Sequence, residues 1–203
     1  MSTELGVRAA RKQLTTREII MAAFALFARQ GYDETTVEQI ADQVGISKRT
    51  FFRYFANKED LVLGNLDHTA IRLELAMKER PPAEHAWLSL RRSFDFFVEA
   101  TTEEPERVCD NLRVMATSPA LKATQLGKLQ RWQSAIVPEL TRRLAGEEPF
   151  PQMRAGAMAG SALACLDAAM DAWYLHSGML NLGPMLDAAM ESVAPLHEFA
   201  LQS

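Results

Sequence analysis

Cysteine is nearly absent: Cys109 and Cys165 stand far apart, outside any Cys-x-x-Cys or Cys/His spacing. A disulfide framework needs more thiols and a zinc site needs grouped donors, so neither is expected, and the two residues read as reduced, packed thiols, with a redox switch as the alternative. Long apolar runs are missing too. The most apolar stretch, residues 155–166, contains Ser161 and is closed by Arg154 and Asp167, whereas a membrane-spanning helix needs about 20 such residues. No apolar segment follows the early positive charges Arg8, Arg11 and Lys12, so a secretory leader is not expected. A soluble, cytoplasmic chain with no membrane association is the expectation. The sequence also lacks a nucleophile elbow, a phosphate-cradling glycine loop, and His-x-x-x-His or His-Glu-x-x-His. Without them no catalytic residue, metal site or cofactor is assigned, and the acidic pairs Glu103/Glu104 and Glu147/Glu148 read as solvated loop positions.

What is present suits a globular chain: 203 residues, 48% hydrophobic and 24% charged, enough to bury a core. The net charge of −4 is unevenly placed. Residues 1–58 hold nine Lys/Arg against six Asp/Glu, a surplus of +3, and the remainder hold 13 against 20, a deficit of −7. A positive head on an acidic body directs an anionic partner to the N-terminal end.

Apolar residues recur at steps of three and four, while strand-like alternation and Asn-Gly or Asp-Gly hairpin signals are lacking, so the chain reads as all-α with about nine helices. Residues 1–14 are expected to form a flexible basic arm, 15–62 a three-helix N-terminal domain, and 63–203 a larger helical domain behind it. The first helix is expected from about Thr16 to Gln30, capped by Thr15 with Glu18, with Ile20, Ala23, Phe24 and Phe27 inward and Gly31 at its end. Thr35, Thr36 and Glu38 open a second helix that turns Val37, Ile40, Ala41 and Val44 inward; Gly45 breaks it, Ser47 caps a third helix, and Asn57 with Asp60 caps a fourth running to about Arg80. Pro81 and Pro82 follow. Further helices are expected from about Glu84 to Ala100, from Pro105, from Ser118 and Pro119 with a kink at Pro138, from Gln152 to about His176, and from about Leu182.

The run VEQIADQVGISKRTFFRY has the parts of a helix-turn-helix: small Ala41 at a close crossing, Gly45 for a positive φ in the turn, and Ile46 in the corner. On the third helix Phe51 and Phe55 lie on one side, and Lys48, Arg49, Phe52 and Arg53 on the other. Residues 16–61, above all TTVEQIADQVGISKRTFFRYFANKEDL, resemble the DNA-binding domain of TetR-family repressors. The resemblance implies that Thr36, Thr50, Tyr54 and Lys58 lie against phosphates, with Ser47 at the helix start beside them, and that Lys48, Arg49 and Arg53 read bases, an Arg fork engaging guanine O6 and N7. Phe52 stands where the family usually carries Tyr, leaving apolar contact with a thymine methyl or a sugar.

The same resemblance implies a repressor that binds a palindromic double-stranded operator as a homodimer and is released by a small apolar or amphipathic effector, with a faint likeness to the branch that answers acyl-CoA-like thioesters. Trp87, Phe94, Phe97, Leu112, Met115, Leu129, Trp132 and Trp173 are candidate cavity walls, though each also suits plain core; His68, Asn111, Arg113 and His176 are polar candidates beside them. The dimer is expected along a heptad-like seam of Ala155, Ala159, Ala162, Leu166, Ala169 and Trp173, with Leu182, Leu186, Ala189 and Val193 on the last helix. A helical adaptor that binds only protein is the competing reading; it needs no basic face on the third helix.

Overall fold

A computed structural model describes residues 2–146 and 149–196. It contains α1 (Ser2–Gln30), α2 (Val37–Gln43), α3 (Lys48–Tyr54), α4 (Glu59–Lys78), α5 (Ala86–Ser93), α6 (Asp95–Glu103), α7 (Pro105–Thr117), α8 (Pro119–Leu144), α9 (Pro151–Leu175) and α10 (Leu182–Glu191). No strand occurs among the described residues, and none of their helices is long and apolar enough to cross a membrane. Two boundaries differ from the sequence expectation. The first helix begins at Ser2 instead of Thr16, because Leu, Ala, Arg, Lys and Gln between residues 5 and 13 are strong helix formers that continue it backwards through the expected arm and cap. The side chains of Arg8, Arg11 and Lys12, and the pair Glu147/Glu148, lie outside the described set. The helix expected over 84–100 is two, α5 and α6, broken at Phe94 (φ −92, ψ 0). There Ser93 Oγ donates to the Leu90 carbonyl at 2.7 Å, a side-chain bond that competes with the backbone ladder.

The chain forms two compact units: Met1–Asn65 with Asp110–Thr124, and Leu66–Cys109 with Gln125–Ser203. In the first, α1 packs on α2 and α2 on α3 around a core that includes Ile19, Phe24, Phe27, Ile40, Ala41, Phe51, Phe55 and Leu61, closed by Val114 and Leu121 from further along the chain. The turns are set by backbone chemistry. Gly31 (φ +90) ends α1 and Gly45 (φ +67) follows α2, conformations that a side chain disfavours. Ile46 N–H donates to the Ala41 carbonyl at 3.0 Å, closing the helix-turn-helix corner.

In the second unit α9 packs on α10 and on α5, and α6 on α10. Tryptophans tie its elements together, two of them to loops and one to α4. Trp173 is fully buried and its indole N–H donates to the Leu180 carbonyl at 2.9 Å, Trp87 to Ala194 at 3.1 Å, and Trp132 to Leu66 at 3.2 Å, so each ring is buried without leaving its donor unpaired. Near the end of α4 a charged network is buried as well. The Glu84 carboxylate takes two hydrogen bonds from Arg80, both 2.8 Å, one from Ser89 Oγ at 2.8 Å, and one from Arg92. Arg143, its side chain 3% exposed, donates to the carbonyls of Met77 (3.0 Å), Arg80 (2.8 Å) and Pro81 (2.8 Å). One guanidinium thereby reaches a carbonyl in the last turn of α4, Met77, and two in the segment that follows it, Arg80 and Pro81.

Candidate nucleic-acid interface

Local hydrogen bonds aim α2 and α3. Thr36 caps α2 with a reciprocal box, Gln39 N–H to Thr36 Oγ1 at 3.2 Å and Thr36 N–H to Gln39 Oε1 at 2.9 Å. The box thus falls one residue later than the Thr35–Glu38 spacing predicts, while Thr35 Oγ1 donates to the Gly31 carbonyl at 2.7 Å and Glu38 is left facing outward. Ser47 caps α3, accepting from Thr50 N–H at 3.1 Å. Asn57 and Asp60 cap the start of α4 as the sequence predicts, with Asp60 N–H to Asn57 Oδ1 and Ala56 N–H to Asp60 Oδ2 both at 2.8 Å.

The third helix has two unlike sides. Phe51 is fully buried and stacks obliquely on Phe55, ring centroids 5.6 Å apart. Outward, Arg49, Thr50, Phe52 and Arg53 line one shallow surface cleft, with the Phe52 ring 47% exposed and the Arg53 guanidinium 5.3 Å from the Tyr54 ring. Arg49 and Arg53 are exposed and have no carboxylate partner among the described residues. Lys48, by contrast, is ion-paired to Glu38, whose carboxyl is held below its usual range by that hydrogen bond. Sequence gives no warning of this contact, since the pair is ten residues apart on different helices. Lys58 is also engaged: its ammonium donates to the carbonyls of Tyr32 (2.6 Å), Thr35 (3.0 Å) and Asp33 (3.5 Å) and lies 4.1 Å from the Tyr32 ring centroid. The structure therefore places Ser47, Lys48, Arg49, Thr50, Phe52, Arg53 and Tyr54 on α3 and its cap, sets Thr36 at the exposed N-cap of α2, and turns Lys58 to the protein's own backbone.

The predicted effector and dimer residues divide in a similar way. Phe97 meets Phe94 and Trp132, ring centroids 6.4 and 5.6 Å apart, with Phe96 stacked on it at 4.2 Å. Cations flank this cluster, Arg72 at 4.1 Å from the Phe96 ring and Lys128 at 5.3 Å from Trp132. Trp87 and Trp173 sit elsewhere as the loop pins described above, Leu129 is exposed, Met115 packs on the core of the first unit, and Leu112, half-buried, belongs to that unit's segment of α7. Of the polar candidates, Arg113 pairs with Asp110 and exposed His176 ends α9. An open cleft in the second unit is instead lined by Asp67, Ala70, Ile71, Gly127, Gln130, Arg131 and Ser134. The predicted dimer seam needs correction: Ala155, Ala159, Ala162, Leu166, Ala169, Trp173, Leu182 and Leu186 are all buried within the single chain, where α9 meets α5 and α10. Only Ala189 and Val193 of that set reach solvent. The exposed side of α9 is the complementary one, Met153, Ala157, Ala164, Ala168, Asp171 and Leu175.

Compared with known families, residues 19–64 match the model described as bacterial regulatory proteins, tetR family, and residues 84–198 match that of the MftR C-terminal domain. TcmR of Streptomyces glaucescens, an HTH-type transcriptional regulator, is 37% identical over 89 residues, 44% of this chain and 39% of TcmR, so the chain aligns with well under half of that relative. MftR of Mycobacterium tuberculosis, whose provisional description is a mycofactocin biosynthesis transcriptional regulator, is 28% identical over 185 residues, 90% of this chain and 91% of MftR. Among solved structures, the transcriptional regulator FadR of Bacillus subtilis, crystallised with stearoyl-CoA, superposes with a TM-score of 0.61 at 19% identity, over 89% of this chain and 98% of FadR; at that identity the likeness is one of fold.

Proposed function

This chain belongs to the TetR family of bacterial regulatory proteins, and from that premise we propose that it is a repressor: a homodimer that occupies a two-fold operator and leaves it when an acyl-thioester or similar amphipathic ligand fills the second unit. The observation that carries the DNA-reading part is α3 itself, locked by buried Phe51 and offering Arg49, Phe52 and Arg53 outward. Each free guanidinium has the fork that matches guanine in the major groove, and the Phe52 ring suits a thymine methyl. Thr36, Ser47, Thr50 and Tyr54 stand around that face as neutral phosphate contacts. Lys48 is available to a base or phosphate once Glu38 releases it.

For the dimer, the exposed residues of α9 make a nearly two-fold pattern about Ala164. Met153 and Leu175 lie eleven positions to either side, Ala157 and Asp171 seven, with alanine at the centre. Two copies laid antiparallel would set each Met153 against the other chain's Leu175, while the small middle residues let the backbones approach. Pro184 and Ala188, exposed on α10, extend the same kind of surface.

For the ligand, the Phe96–Phe97–Trp132 cluster supplies apolar walls and Arg72 a cation beside it, the pairing that an acyl chain ending in anionic groups requires, whereas Lys128 is already paired with Asp167 at 2.6 Å. The stearoyl-CoA bound by FadR points to the same class. The test is selection of an operator from random duplexes, followed by titration with stearoyl-CoA. Arg49→Ala and Arg53→Ala should each weaken the selected site by about 1–3 kcal/mol and relax preference at one base pair. No sequence preference, with indifference to Arg49, would leave the adaptor reading; operator affinity unchanged at saturating thioester removes the proposed ligand control.

A further inference from the structure

We infer that Lys58 is a positioning residue of the DNA reader and makes no direct phosphate contact; the inference rests on the DNA-binding reading above and refines it. A lysine ammonium carries three N–H donors and no acceptor. Here three backbone carbonyls surround it, those of Tyr32, Thr35 and Asp33 at 2.6, 3.0 and 3.5 Å, with the Tyr32 ring at 4.1 Å covering a further side. Two donors are committed to the protein at 2.6 and 3.0 Å and the third faces the Asp33 carbonyl at 3.5 Å, so an incoming phosphate would have to draw the ammonium out of these bonds before gaining its own.

The cage also explains what the lysine does. Its three carbonyls belong to the turn between α1 and α2, where Gly31 leaves one helix and Thr36 caps the next. Lys58 itself immediately precedes α4, and its own carbonyl accepts from Leu61 N–H at 3.3 Å. One side chain thereby ties the start of α4 to the start of α2 across 23 residues of sequence. Tyr32 and Thr35 are buried, so the Thr35 carbonyl has little water to turn to if the cation is removed, while the Tyr32 carbonyl is left with the Thr35 N–H at 3.2 Å alone. Thr36 follows directly, and its exposed cap is one of the groups that faces DNA in the reading above. Lys58 acts on DNA through that placement. The cage suits a compact point charge, whereas a planar guanidinium cannot send donors to three converging carbonyls in the same way.

The test uses the full chain and the variants Lys58→Met and Lys58→Arg, titrated with the selected operator and an unrelated duplex across a salt series, with amide hydrogen exchange followed at residues 32–36. Lys58→Met should weaken binding to both duplexes by about tenfold, the scale of one lost charge-assisted hydrogen bond, with an unchanged slope of log K on log salt and faster exchange at residues 32–36. Lys58→Arg should recover little of the loss. The inference is overturned if Lys58→Met lowers the salt slope by about 0.9, the signature of one lost phosphate contact, while exchange stays as in the parent and Lys58→Arg restores affinity. Should the parent chain bind no DNA, the functional reading fails by itself, and exchange at residues 32–36 unaltered in Lys58→Met would still refute the cage.

Discussion

Replacing Glu84 by Gln tests whether the buried network at the end of α4 stabilises this protein. The carboxylate is 2% exposed. Burial works against its ionisation, but hydrogen bonds from Arg80, Ser89 and Arg92 and the Arg80 charge outweigh burial and hold its pKa at about 2, against 4.5 for an unperturbed group. A depression of roughly 2.5 units corresponds to about 3 kcal/mol of folding free energy at neutral pH, at 1.36 kcal/mol per unit. Because the folded pKa is the lower one, this stabilisation is complete above pH 4.5 and is lost as pH falls from there towards 2. The amide keeps the shape of the side chain and removes the charge, leaving Arg80 and Arg92 without their common anion; both are partly exposed and can turn to water, which keeps the loss below that of a fully enclosed pair. Urea unfolding at one fixed protein concentration, at neutral pH and in steps down to about pH 2, should show a gap of about 3 kcal/mol between parent and variant that closes across the acid range. A gap under about 1 kcal/mol at neutral pH, or one that does not change with pH, would refute the reasoning.

Other consequences can be measured more simply. Gly178 has φ +70, and a Cβ there would lie 2.9 Å from the Trp173 ring, so Gly178→Ala should lower stability by about 1–3 kcal/mol; an unchanged melting temperature would contradict this. Ala164→Arg, at the centre of the exposed side of α9, should shift sedimentation towards monomer with the helical circular dichroism retained. Ala162→Arg, pointing into the fully buried side, should instead unfold the chain, and similar behaviour of the two variants would mean that the two sides of α9 have been misassigned.

Legibility in the sequence followed the range of the interactions involved. Most signals within about four residues hold: Gly45, Ile46, the Ser47 cap and the Asn57–Asp60 box all act locally and are found in place, and the spacing of Phe51 and Phe55 marks the buried side of α3; the Thr15–Glu18 cap fails, overridden by the helix formers before it. The Thr36 cap was displaced by one because adjacent threonines offer two registers, and Gln39 won the box that Glu38 could have filled. Contacts across long separations carried no signal: Glu38 with Lys48, the carbonyl cage of Lys58, and Arg143 at the end of α4 are set by the tertiary arrangement. The seam of α9 differs from the sequence expectation for another reason. That helix is rich in alanine on every side, so both of its stripes fit a heptad, and periodicity cannot tell an internal contact from an external one. The aromatic residues of the second unit likewise share one spacing pattern, though some form a cluster and others fasten loops.

The DNA reader is not one continuous stretch of chain. Val114 and Leu121 complete the core built by residues 19–62, so a fragment cut after residue 65 would bare the apolar surface those two side chains cover. Grafting this specificity onto another sensor therefore calls for transplanting two separate pieces of sequence, and a chimera spliced at a single junction would begin life with an open seam in its hydrophobic interior.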